Sequence, residues 1–225
     1  MKLSKITTAS LVALTGLSLA STSAYAAEVG TQKTQADFEL KVGEGGTGPV
    51  DPIDPIDPID PIDPIDPIEP PMMGPLTLDA ASNFNFGSIK LGEGDGIYTA
   101  IKEDNSVLGI QVTDSRGTGA GWNVDVSMTD FKGQGINILK GATLTIPNGS
   151  VNTTSADKVK APVTKEVKLN ASPISIFTAT KDNGMGTWTN LFEGKDKKVT
   201  LNVPEGNYVD QYTAKITWSL QNAPK

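Results

Sequence analysis

The stretch Gln211-Tyr212-Thr213-Ala214-Lys215-Ile216-Thr217-Trp218-Ser219-Leu220 decides the fold class. Tyr212, Ala214, Ile216, Trp218 and Leu220 are apolar and alternate with polar neighbours, a period of two that fits a strand with one buried face. Trp122, Val124, Val126 and Met128 repeat the pattern against Asn123, Asp125, Ser127 and Thr129, predicting a second half-buried strand. Shorter versions lie at Leu108-Ile110-Val112, Leu144-Ile146, Val167-Leu169, Ile174-Ile176 and Val199-Leu201-Val203. Turn signals such as Asn148-Gly149, Asp182-Asn183-Gly184 and Pro204-Glu205-Gly206 separate them. No helical period runs beyond about two turns. The spacing predicts an all-β chain: one Ig-like, sandwich-type domain of short antiparallel strands.

One strand lies apart from the rest. Ala36, Phe38, Leu40 and Val42 alternate with Gln35, Asp37, Glu39 and Lys41, but a repeat separates them from the other strands. Asp-Pro-Ile occurs six times from Asp51 to Ile68, and ten of the fifteen prolines lie between Pro49 and Pro75. A proline at every third residue excludes helix and central strand. Polyproline II has three residues per turn, so it would place the aspartates on one edge and the isoleucines on another; at about 3.1 Å per residue, Asp51 to Pro71 would reach roughly 65 Å. The repeat reads as a solvated spacer, with a proline-rich ligand or a loose cation site on the aspartate edge as alternatives. A lone strand can neither bury its apolar face nor pair its backbone, so residues 27–48 are expected to supply the first strand of the domain formed by 76–225. Residues 49–75 then form a long insertion after that strand, tolerable because loop-closure cost grows only logarithmically.

The amino terminus reads as a processed leader. Lys2 and Lys5 precede the short apolar run Leu11 to Ala20, and Ala24-Tyr25-Ala26 fits a cleavage site, so residues 1–26 are expected to be a signal peptide and the protein to be secreted. No other segment has membrane-spanning length, and no sorting signal follows Pro224-Lys225, so attachment to a surface is expected to be non-covalent.

Composition removes several functions. The 225 residues contain no Cys and no His, which excludes a Ser/His/Asp triad, a thiol nucleophile, a His-ligated metal and a thiolate zinc site. With 26 acidic residues, 19 Lys+Arg, a net charge of -7 and a single arginine, Arg116, nucleic acid is a poor partner. Ser155-Ala156-Asp157-Lys158 formally fits S-x-x-K but lacks the partner motifs of that chemistry. Gly92-Glu93-Gly94-Asp95-Gly96 is neither a phosphate-binding loop nor a calcium loop and reads as a mobile turn. Nothing pairs two carboxylates as a glycosidase requires. The expectation is therefore no catalytic residue, no metal and no cofactor.

The distinctive residues are aromatic. Asp114-Ser115-Arg116-Gly117-Thr118-Gly119-Ala120-Gly121 leads through a glycine turn into Trp122-Asn123-Val124, and the chain closes with Tyr212 to Pro224. At these residues the sequence resembles the WxL domain family of surface proteins from low-GC Gram-positive bacteria. The carboxy-terminal pattern Y-x-x-x-[LIV]-T-W-x-L-x-x-x-P is complete, whereas the proximal motif carries Val124 in place of Leu. The resemblance continues through Gly74-Pro75-Leu76-Thr77-Leu78, Phe84-Asn85-Phe86-Gly87 and Gly186-Thr187-Trp188. It implies a small WxL protein held non-covalently at the cell wall, with peptidoglycan as ligand and a companion surface protein, such as a WxL-interacting protein, as a further partner.

Site residues follow from the two arguments together. The resemblance makes Trp122, Val124, Trp188, Tyr212, Trp218 and Leu220 the wall- or partner-binding candidates. The residue pattern sets core packing against direct contact for Trp122 and Trp218, and favours packing because both are in phase with the apolar face. Trp188, between Gly186 and Asn190, has no clean phase and is expected to be the exposed aromatic. Arg116 is expected to pair with Asp114 and hold the glycine turn rather than touch a ligand. The leading reading is a wall-glycan binding module, the second a structural subunit that docks on another surface protein through a sheet edge or aromatic patch, and the third, distantly, a wall enzyme.

Overall fold

The long carboxy-terminal strand sits between two partners, and the sheet grows outward from it. The computed structural model describes residues 28–41, 72–91, 96–102, 107–153 and 160–223. The signal peptide, the Asp-Pro-Ile repeat, the Ser155 to Lys158 stretch and Gly92 to Asp95 lie outside the described residues. Within them run β1 (Glu28–Lys41), β2 (Leu76–Ala81), β3 (Phe84–Lys90), β4 (Ile97–Thr99), β5 (Gly109–Asp114), β6 (Trp122–Met128) and β7 (Thr143–Ile146). The remainder are β8 (Ser150–Thr153), β9 (Val163–Thr164), β10 (Val167–Lys168), β11 (Ile174–Ala179), β12 (Gly186–Leu191), β13 (Thr200–Asn202) and β14 (Asp210–Gln221). The fold is all-β, and no helix among the described residues is long and apolar enough to cross a membrane.

Three sheets share one core. The first has the order β3-β1-β14-β6-β11-β9, the second β10-β7-β13-β4 and the third β2-β5-β12-β8. Phe38 of β1, Leu78 of β2, Ile110 of β5, Val126 of β6, Leu144 of β7 and Leu201 of β13 belong to a single buried cluster. Ring pairs add to the packing: Phe38 of the first sheet stacks on Tyr98 of the second at 5.1 Å, and Phe84 meets Phe192, just after β12, edge-on at 6.3 Å.

The strand that precedes the repeat joins the first sheet. β1 pairs antiparallel with β14 along nearly its whole length, from Glu28 opposite Gln221 to Leu40 opposite Asp210. Its register sets Phe38 against Tyr212 and Ala36 against Ala214, so both apolar sets face the core together. The strand starts earlier than its apolar alternation suggests, because residues 28 to 33 are ordered by backbone pairing to β14 rather than by burial of their own side chains.

Two features depart from the sequence reading. β1 pairs with β3 in parallel, from Ala36 opposite Phe84 to Lys41 opposite Lys90, so the strands are not all antiparallel. Parallel neighbours need a crossover of a dozen residues or more, and the residues between Lys41 and Phe84 are more than enough. β6 is also not half-buried: Asn123 and Asp125 on its polar face are as inaccessible as Trp122 and Val124 on the other. Hydrogen bonds make that burial tolerable, with the Asn123 amide donating to Asp125 at 2.7 Å, Ser175 to Asp125 at 2.8 Å and Thr178 to Asn123 at 2.6 Å.

Candidate functional site

The two tryptophan motifs occupy adjacent strands. β14 pairs with β6 so that Trp218 stands opposite Val126 and Leu220 opposite Val124. Trp122, Val124, Tyr212, Trp218 and Leu220 are all fully buried. Each indole N–H is satisfied inside the protein: Trp122 donates to the Gly184 carbonyl at 2.9 Å and Trp218 to the Thr34 hydroxyl at 2.8 Å. The second bond crosses from β14 to β1 and fixes the outer half of that strand. The Trp122 ring meets Phe177 edge-on at 5.0 Å, and a Cβ on Gly184 would stand 2.8 Å from its ring nitrogen, so glycine is required beside the indole.

Trp188 overturns the expectation of an exposed aromatic. It lies inside β12, is 2 % exposed and donates its indole N–H to the Met185 carbonyl at 2.9 Å. Its strand phase is hidden in the sequence because its neighbours two residues away are Gly186, at positive φ, and Asn190, a buried amide that bonds Thr164. All three tryptophans therefore face the core.

Arg116 closes the glycine turn. Its guanidinium grips the buried Asp114 carboxylate with two parallel bonds of 2.9 and 2.8 Å, and reaches the Gly121 carbonyl at 2.7 Å and the Asn222 carbonyl at 3.0 Å. The last contact ties the turn before Trp122 to the end of β14. Gly121 itself has φ 78°, and a Cβ there would come within 2.4 Å of the Ala179 carbonyl oxygen.

At the other end of β14, two adjoining loops form an exposed apolar surface that the sequence reading missed. A small hairpin pairs Lys132 with Ile138 and carries Ile136, 99 % exposed, at its tip. Beside it, Tyr208 and Val209 precede β14, and Tyr208 is 68 % exposed. The Asp210 carboxylate accepts from the Gln134 backbone at 3.2 Å and the Asn137 amide at 2.9 Å. Asn207 accepts from the Lys140 backbone at 2.7 Å and donates back to its carbonyl at 3.2 Å. The bond from Asn137 foremost, then that from the Gln134 backbone and, more weakly, that from the Gln211 backbone, hold the Asp210 pKa below its ordinary value of 3.8 against the opposing effect of burial. The buried Tyr212 hydroxyl donates to the Tyr208 carbonyl at 2.8 Å, and burial, with the nearby Asp210 charge, raises its pKa. Sequence contains one signal for this surface, the aromatic Tyr208 placed two positions after the Pro204-Glu205-Gly206 turn and ahead of the apolar alternation that begins at Tyr212.

A family model described as WxL domain, surface cell wall-binding, matches residues 27–224. The chain belongs to the WxL family. No curated protein and no solved structure matches it. In this WxL domain the signature tryptophans hold the sheets together, and the motif tyrosine anchors a loop, so the side chains that mark the family are inaccessible to a ligand in this conformation. Among the described residues no group of three acidic side chains is close enough to hold a metal ion.

Proposed function

We propose that the protein is secreted by removal of residues 1–26 and binds peptidoglycan non-covalently through the WxL domain, with residues 49–75 acting as an inserted spacer. The observation that carries this reading is the match of a cell wall-binding surface family to residues 27–224, which embraces every strand of the described structure. The chemistry is consistent with binding rather than catalysis, because Asp210, the acidic residue between the two loops, is engaged in holding them together. Trp122, Val124, Trp188, Tyr212, Trp218 and Leu220 serve the binding indirectly, by fixing the scaffold that presents the surface. Asp114 and Arg116 do the same at the opposite end.

Cosedimentation of the mature protein with purified, protein-free peptidoglycan tests the proposal. Retention with no other protein present is the expected result. If retention required a second surface protein, the domain would be a structural subunit whose direct ligand is that companion. Loss of turbidity of the wall suspension would indicate an enzyme instead.

A further inference from the structure

We infer that the paired loops 132–140 and 204–210 form a saccharide-binding platform on which Tyr208 stacks a pyranose ring of the wall glycan. The inference rests on the wall-binding reading and assigns its contact surface. If the domain binds the wall, the contact must be made by side chains that solvent can reach, and the three tryptophans are excluded by burial. Tyr98 is excluded as well, since its ring is half-buried and stacked on Phe38. Tyr208 is the one large exposed aromatic among the described residues.

The surroundings of Tyr208 fit a sugar. The face of a pyranose ring is a patch of C–H groups, and an aromatic ring offers it a flat apolar partner, while the hydroxyls at its rim need hydrogen-bonding groups. Ile136, Ile138 and Val209 extend the apolar area at the same end of the molecule, each more than 40 % exposed. Ile136 protrudes furthest and suits an N-acetyl methyl group. Gln134, exposed on the same hairpin, donates from its side-chain amide to Gln211 at 2.8 Å, which leaves its carbonyl oxygen to accept from sugar hydroxyls. The stem peptides of the wall carry charge and no flat C–H face, so the glycan strand is the constituent this surface matches.

Preorganisation is the second argument. Exposed loop tips ordinarily lose entropy when they bind, which lowers affinity. Here Asp210, Asn207 and the Tyr212 hydroxyl tie the two loops to each other and to β14 through side chains whose hydrogen bonds serve only to hold them. Tyr212, the first residue of the carboxy-terminal motif, thus acts as a positioning residue for Tyr208 four positions earlier.

The test uses the mature full-length protein with Tyr208→Ala, Tyr208→Trp and Ile136→Ala variants, sedimented with intact sacculi and with glycan stripped of its stem peptides by an amidase. Thermal melting is recorded alongside. The expected result is an unchanged melting temperature for all three, a roughly tenfold or greater loss of affinity for Tyr208→Ala on both materials, equivalent to about 1.4 kcal/mol or more, and retained binding for Tyr208→Trp. Ile136→Ala should weaken binding by a smaller factor. Wall binding by Tyr208→Ala and Ile136→Ala at the parent level would overturn the platform while leaving the wall-binding reading standing. Binding to intact sacculi but not to stripped glycan would overturn the saccharide assignment, and failure of the parent protein to bind either material would overturn both.

Discussion

Replacing Trp218 by alanine separates a scaffold role from a ligand role more sharply than any other single change. The ring is fully buried between β1 and β6, and its N–H is bonded to Thr34, itself only 9 % exposed. Truncating a buried aromatic of this size costs about 3 to 5 kcal/mol through lost transfer energy and the cavity that remains. The orphaned Thr34 hydroxyl adds about 1 kcal/mol where water cannot reach it. For a domain of this length each kcal/mol shifts the midpoint by about 2 to 4 °C, so Trp218→Ala should melt roughly 8 to 24 °C below the parent. Thermal circular dichroism on the mature protein reads this directly, and Trp218→Phe, which keeps most of the volume but loses the N–H, should fall between the two. A Trp218→Ala protein that melts with the parent yet fails to sediment with wall would refute the reasoning, because the ring would then be spent on a ligand and not on packing.

Three further outcomes follow from the structure. Deleting residues 51–68 should leave the melting temperature nearly unchanged, whereas deleting 28–41 should abolish cooperative melting, since β1 supplies Phe38 and Leu40 to the core and pairs with both β3 and β14. Arg116→Lys should destabilise the protein by about 1 to 3 kcal/mol in denaturant titration, because a lysine cannot make the two parallel bonds to buried Asp114 and also reach the Gly121 and Asn222 carbonyls. Asp210 has a folded-state pKa lowered below 3.8, so the unfolded chain takes up its proton first as pH falls. Its contribution to stability is therefore complete above about pH 4 and disappears as pH drops through the folded value; Asp210→Asn should flatten that part of the acid-unfolding curve, and an unaltered curve would exclude the bonds to Gln134 and Asn137 as its source.

What the chain determined by itself is its periodicity. Alternation over Tyr212 to Leu220 and Trp122 to Met128 specifies strands because successive side chains of an extended backbone point to opposite faces, and no other residue is needed to read that. The orphan strand was legible for the same reason, as unpaired backbone and an unburied apolar face demand a partner. The Asp114 and Arg116 pair was legible because two residues on one turn are neighbours in sequence and in space. Pairing partners were not, since whether β3 runs parallel to β1 depends on the path of the crossover and not on either strand's pattern. Burial of the polar face of β6 was hidden because it depends on Ser175 and Thr178, some 50 residues away, arriving to satisfy Asn123 and Asp125. The burial of Trp188 is not legible in sequence because its neighbours on the inward face are a glycine and an asparagine, and only the packing of β5 and β8 on either side of β12 encloses it. The exposed surface around Tyr208 and Ile136 is likewise a product of tertiary structure: exposure is a property of what fails to cover a side chain, and the loops that bring these residues together are some 70 positions apart in the chain.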